Sequence, residues 1–93
     1  MKESELAFWQ KTARHYTRSM DRSAPLYAAV CERIRPHLSL DMNVLELACG
    51  TGQLSFPLSP YGRLWEATDA APAMIQEAKK RIGSSRLHFS VQD

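Results

Sequence analysis

The segment Val44–Gly52, VLELACGTG, constrains the fold more than any other part of the chain. Val44 to Cys49 is a short apolar run broken by Glu46 alone, the pattern of a strand buried on both faces. Gly50 and Gly52 follow at once, so the strand runs straight into a glycine turn. Gln53 to Leu58 then suits a short helix, stopped around Pro57 or Pro60. Glycines in such a turn allow positive φ and let a ligand approach the backbone closely. The helix start offers unpaired N–H groups. At the C-terminal end of a parallel strand, this is where nucleotide-like ligands sit in open α/β sheets.

The flanking sequence supports that sheet. Tyr61-Gly62 is a turn, and Arg63 to Asp69 reads as a second strand. Pro72 to Ile82 reads as a helix with Met74, Ile75, Ala78 and Ile82 inward and Gly83 as its C-terminal cap. Leu87 to Val91 is a third strand. Ahead of the first strand, Leu6, Trp9, Ala13, Tyr16 and Met20 line one helical face. Ser23 can cap a second helix that carries Pro25 in its first turn, lays Leu26, Val30, Ile34 and Leu38 along one face and ends near Pro36. The expectation is an α/β fold with a Rossmann-like parallel sheet and right-handed crossovers. Two leading helices occupy residues 1–40, and a β-α-β-α-β unit occupies residues 41–93.

Asp69 supplies a second element of a site. It ends the second strand, 17 residues after Gly52. A strand-end acid at about that distance accepts hydrogen bonds from ribose hydroxyls and repels a 2′-phosphate, which disfavours NADP. The dinucleotide fingerprint G-x-G-x-x-G fails, because Ser55 stands at its third glycine. That shifts weight away from NAD and FAD, leaving a nicotinamide-binding half as the weakest alternative.

The residues resemble a known family. Glu46-x-Ala48-x-Gly50-x-Gly52 is similar to motif I of the class I S-adenosylmethionine-dependent methyltransferases. EATDAAPAMIQEA at 66–78 resembles the second motif, LHFSVQD at 87–93 the third strand with its terminal acid, and FWQKTARHY at 8–16 the leading helix. The resemblance implies S-adenosylmethionine as cofactor and assigns roles. Glu46 would orient the glycine loop and the methionine amino group. Ala48, Gly50, Thr51 and Gly52 would form the floor under the methionine moiety. Asp69 would bind the ribose, Ala70 and Met74 would pack on adenine, and Asp93 would accept from the adenine amino group. Tyr16 would close over the methionine carboxylate. On the residues alone, Met74 and Tyr16 sit at spacings that plain core packing also explains. Two positions depart from the family's common form: Ala48 stands where glycine is frequent, and Ala71 where a serine or threonine cap is frequent.

The family's sheet has seven strands in the order 3-2-1-4-5-7-6, and this chain supplies strands 1 to 3, an incomplete N-terminal part. The resemblance implies a methyltransferase whose cofactor-binding part is carried here, with the catalytic residues unknown; the lid-like leading helices and the lack of a basic face point to a small-molecule acceptor. The alternative is a non-enzymatic module that forms a homodimer or oligomer through exposed strand 43–49, since a bare apolar edge recruits another chain.

Composition narrows the partners. Hydrophobic residues make up 44% and charged residues 24%, a globular balance. The net charge is +2, and Lys79, Lys80 and Arg81 form the one tight basic cluster, as expected of a solvated helix end. No wide basic face argues for nucleic acid. Cys31 and Cys49 lie in no metal-like spacing, and His15, His37 and His88 form none either. Met1 to Glu5 is charged with no apolar run behind it, so neither a signal peptide nor a membrane segment is expected, and a cytoplasmic location follows.

Overall fold

The computed structural model describes residues 2–8, 10 and 23–93. Strands β1 (Asn43–Glu46), β2 (Leu64–Asp69) and β3 (Leu87–Val91) form one sheet in the order β1-β2-β3, all parallel. A helical segment that includes residues 3–8 (α1) and helix α2 (Ala24–Ile34) precede β1. Helix α3 (Ser55–Leu58) connects β1 to β2, and α4 (Pro72–Lys79) connects β2 to β3.

Register places the core. Val44, Trp65 and Leu87 lie opposite one another, and Glu46, Ala67 and Phe89 form the next row. Side chains alternate along a strand, so both rows share one face. On it Cys49, Leu58, Trp65, Ala67 and Ile75 are buried together, with Ile34, Leu38 and Leu54 packed against them. Trp65 is the largest of these, at 3% exposure. Truncating a buried aromatic of this kind costs about 3–5 kcal/mol. Ala71 and Met74 make a second cluster, which Leu6 of α1 covers. Trp9, Ala13, Tyr16 and Met20 lie outside the described residues.

Several boundaries differ from the sequence reading. β1 ends at Glu46 rather than Cys49, because Ala48 turns to φ 55 and Cys49 directs its N–H to the Thr68 carbonyl at 2.8 Å. It is not buried on both faces: Leu45 is 66% exposed, and Leu47 just beyond the strand is 73% exposed. Pro57 lies inside α3, tolerated because first-turn N–H groups have no intrahelical partner. The chain then continues through a 3-10 turn, Ser59–Tyr61. On α2, Leu26 is exposed, and Ser23 makes no side-chain cap; its carbonyl accepts from Leu26 and Tyr27.

α4 stops at Lys79, short of Ile82. Its last turn tightens as Lys80 and Arg81 donate to carbonyls three residues back, and the Arg81 guanidinium settles 4.2 Å from the Phe56 ring centre. Ile82 is then 100% exposed instead of inward. The helix ends on Lys80 in a right-handed conformation, so Gly83 is not its cap. Gly83 is needed for space: a Cβ there would lie 2.9 Å from Leu87 and 3.0 Å from the Phe56 ring.

Candidate functional site

The turn after β1 holds three left-handed residues in five, Ala48 at φ 55, Gly50 at φ 60 and Gly52 at φ 94. For alanine this conformation costs about 1 kcal/mol or more. Thr68 of β2 fastens the turn. Its hydroxyl donates to the Glu46 carbonyl at 2.9 Å, while its own carbonyl takes the Cys49 N–H. Gly52 is required twice over, by its φ and by space, since a Cβ would sit 2.6 Å from the Phe56 ring and 3.2 Å from Phe89.

Two acids flank this turn. The Asp69 carboxylate accepts the Gly50 N–H at 2.9 Å through Oδ2 and the Ala71 N–H at 2.9 Å through Oδ1. The second bond supplies an acceptor at the start of α4, where Ala71 brings no capping side chain. The Asp69 carbonyl accepts the Gln92 N–H at 3.0 Å, drawing the end of β3 to the same end of the sheet. Glu46 is half-buried. Its Oε1 accepts from the Ser55 hydroxyl at 2.7 Å and from Trp65 Nε1 at 2.9 Å.

Neither Ser55 nor Trp65 was expected at the site. A signal for Trp65 existed: a tryptophan on the inward face of a strand needs an acceptor for its N–H. The register places Glu46 on the same face of the neighbouring strand.

The remaining expected residues fall as follows. Thr51 is buried, and its hydroxyl accepts from Gln53 at 2.6 Å. Ala48 is exposed and Ala70 half-buried on the loop after β2. Met74 is buried and packs in a cluster with Ala71. Asp93 is exposed one residue beyond Gln92. Tyr16 lies outside the described residues. Cys49, within the turn, has its thiol pushed up to about 12 by burial, then by the charges of Glu46 and Asp69. Such a thiol stays protonated at neutral pH and is a poor nucleophile. Among the described residues no group of three ligating side chains could hold a metal ion.

A separate cleft of about 650 Å3 opens between α2 and α3, lined by Tyr27, Arg35, Phe56 and Tyr61 among others. Among the described residues, none of those expected at the site lines it. The basic cluster is partly neutralised, with Lys80 paired to Glu77 at 2.8 Å.

The segment that carries this glycine turn and Asp69 matches known proteins. The methyltransferase-domain family model matches residues 44–93, just over half of the chain. The chain belongs to the class I S-adenosylmethionine-dependent methyltransferase family.

Solved structures agree with this membership. A DhpI–SAM–HEP complex is 34% identical with a TM-score of 0.76, over 98% of this chain and 42% of that one. A DhpI–SAH complex is 33% identical with a TM-score of 0.74, over 97% and 44%. The magnesium protoporphyrin IX methyltransferase of Synechocystis PCC 6803 with bound SAH is 25% identical with a TM-score of 0.60, over 76% and 35%. No curated protein matches. The chain spans less than half the length of each of these structures.

Proposed function

We propose that this chain is the S-adenosylmethionine-binding part of a methyltransferase that acts on a small molecule. The observation that carries the reading is the bond from Gly50 N–H to the Asp69 carboxylate, which locks the glycine turn to the second strand. The residues fit the cofactor in kind. Each carboxylate oxygen has two acceptor sites, so Asp69 keeps capacity for ribose hydroxyls after taking its two backbone N–H groups. Gly50, bonded to it, and Gly52 are both buried and add no side chain to the turn. Ala70 and Asp93, at the ends of β2 and β3, are assigned to the adenine side, and Ala48 and Thr51 to the methionine side.

The cofactor, when bound, supplies an activated methyl group. The chain's own residues bind and orient. Asp69 fixes the ribose end, and the turn sets the height of the floor. Glu46, held from two sides, serves the methionine end.

A small-molecule acceptor is supported by the absence of a wide basic face in the sequence and by the relative named for magnesium protoporphyrin IX. The free thiols of Cys31 and Cys49 support a reducing, cytoplasmic location. No described helix is long and apolar enough to cross a membrane. Among the described residues β1 pairs with β2 alone, and its other edge is assigned to a fourth strand of the methyltransferase sheet rather than to a second copy of this chain, following the family's strand order.

Isothermal titration with S-adenosylhomocysteine and with NADH tests the reading. Saturable heat with the former and none with the latter is expected. The reverse pattern, or no heat with S-adenosylhomocysteine at millimolar concentration, would overturn it.

A further inference from the structure

We propose that Ser55 and Trp65 are positioning residues for the ammonium group of the cofactor's methionine part, acting through Glu46. The inference rests on the cofactor reading above and deepens it. Both donors converge on one oxygen, Glu46 Oε1, at 2.7 and 2.9 Å. Ser55 is fully buried and Trp65 almost so, which leaves neither donor any water to turn to. A buried donor without its acceptor is strongly disfavoured, so the two together fix the carboxylate's orientation.

Two donors fill the acceptor sites of Oε1. Oε2 has no hydrogen-bond partner among the described residues. The unused acceptor capacity of this half-buried acid thus lies on one oxygen of fixed orientation, next to the glycine turn. Its charge and geometry suit a ligand cation that carries N–H donors. The adenosyl cofactor has one such group, the α-ammonium of its methionine part, and none in its nucleoside part. Ser55 occupies the position where the dinucleotide fingerprint has its third glycine, and here its hydroxyl has a definite use.

Isothermal titration of the whole 93-residue chain with two ligands tests this assignment. S-adenosylhomocysteine carries the ammonium; 5′-methylthioadenosine shares the nucleoside and thioether but lacks the amino-acid part. Ser55→Ala removes one donor at nearly constant shape; Trp65→Phe removes the other and keeps an aromatic ring in the core, while leaving a cavity. Each is expected to weaken S-adenosylhomocysteine about tenfold, the loss of about one charge-assisted hydrogen bond, and to leave methylthioadenosine within about twofold. If one variant fails to fold, the other reads the same ratio.

Equal weakening of both ligands would mean that the residues merely support the loop, and would overturn the proposal. So would persistence of the Trp65→Phe effect on the ligand ratio in a Glu46→Ala background, where the acid is gone. Equal binding of the two ligands by the parent chain overturns the positioning role and leaves the cofactor reading standing. Binding of neither ligand overturns both.

Discussion

The carboxylate of Asp69, at the end of β2, accepts the backbone N–H of Gly50, nineteen residues earlier in the chain, at 2.9 Å. One oxygen of one side chain thereby ties the turn after β1 to the tip of β2. Its other oxygen holds the Ala71 N–H at the start of α4. The acid expected from sequence as a ribose acceptor is also the residue that shapes the turn.

Asp69→Asn tests both duties at once. An amide keeps one acceptor oxygen and turns an NH2 group toward a backbone N–H, donor against donor. Hydrogen bonds to charged groups contribute about 1.5–3 kcal/mol. S-adenosylhomocysteine affinity should fall at least about tenfold, with a lower melting temperature in calorimetry. A variant that melts and binds like the parent would contradict the assignment.

Ala48 and Gly52 make a matched pair, both left-handed, at φ 55 and φ 94. Ala48→Gly relieves a disfavoured conformation and should stabilise the fold by up to about 1 kcal/mol, net of the greater freedom glycine gains in the unfolded chain. Gly52→Ala adds that strain and a methyl 2.6 Å from the Phe56 ring, so it should lower stability by more than about 1 kcal/mol. Urea titrations compare the two; opposite signs are expected, and equal signs would contradict a left-handed Ala48.

The thiols give the pH dependence. Cys49 is raised from 9.0 to about 12 in the folded chain, by burial first and by Glu46 and Asp69 second. Cys31 is raised as well, by burial and then by Glu32 and Glu46. Between the unfolded and folded values the folded chain holds a proton that the unfolded chain has released. Stability is therefore intact below about pH 9 and declines as pH rises toward 12. The urea midpoint should drop over that window, and less steeply in Cys49→Ala. At pH 8, iodoacetamide should label the half-buried Cys31 before Cys49.

Ser59 is fully buried, and its hydroxyl has no hydrogen-bond partner among the described residues. Ser59→Ala removes an unsatisfied polar group at nearly constant shape. It should raise stability by about 1 kcal/mol, seen as a higher urea midpoint. A drop would reveal a partner for that hydroxyl.

The readable part of the fold was the part set by local pattern. The three strands appear where alternation and apolar runs place them, because burial on a shared face fixes both period and register. The glycine turn and Asp69 were readable because few residue types tolerate those backbones and few strand-end positions need an acid. The ends of elements were not. Ile82 fits the periodicity of α4, yet the chain leaves the helix before it as Arg81 stacks on Phe56, a contact between distant parts of the sequence. Leu45 and Leu47 read as buried because an apolar run says nothing of whether a neighbour is present to cover it. The roles of Ser55 and Trp65 depend on which strands pair and in what register, which no spacing along the chain displays.

The glycine turn and the ends of β2 and β3 are proposed to form one cofactor site. A 15N–1H NMR titration of the chain with S-adenosylhomocysteine tests it most directly. Shifts are expected to concentrate at the amides of Gly50, Thr51 and Gly52, of Ala70 and Ala71, and of Gln92 and Asp93. Absence of shifts at millimolar ligand, or shifts confined to the cleft at Tyr27, Arg35 and Tyr61 between α2 and α3, would contradict it.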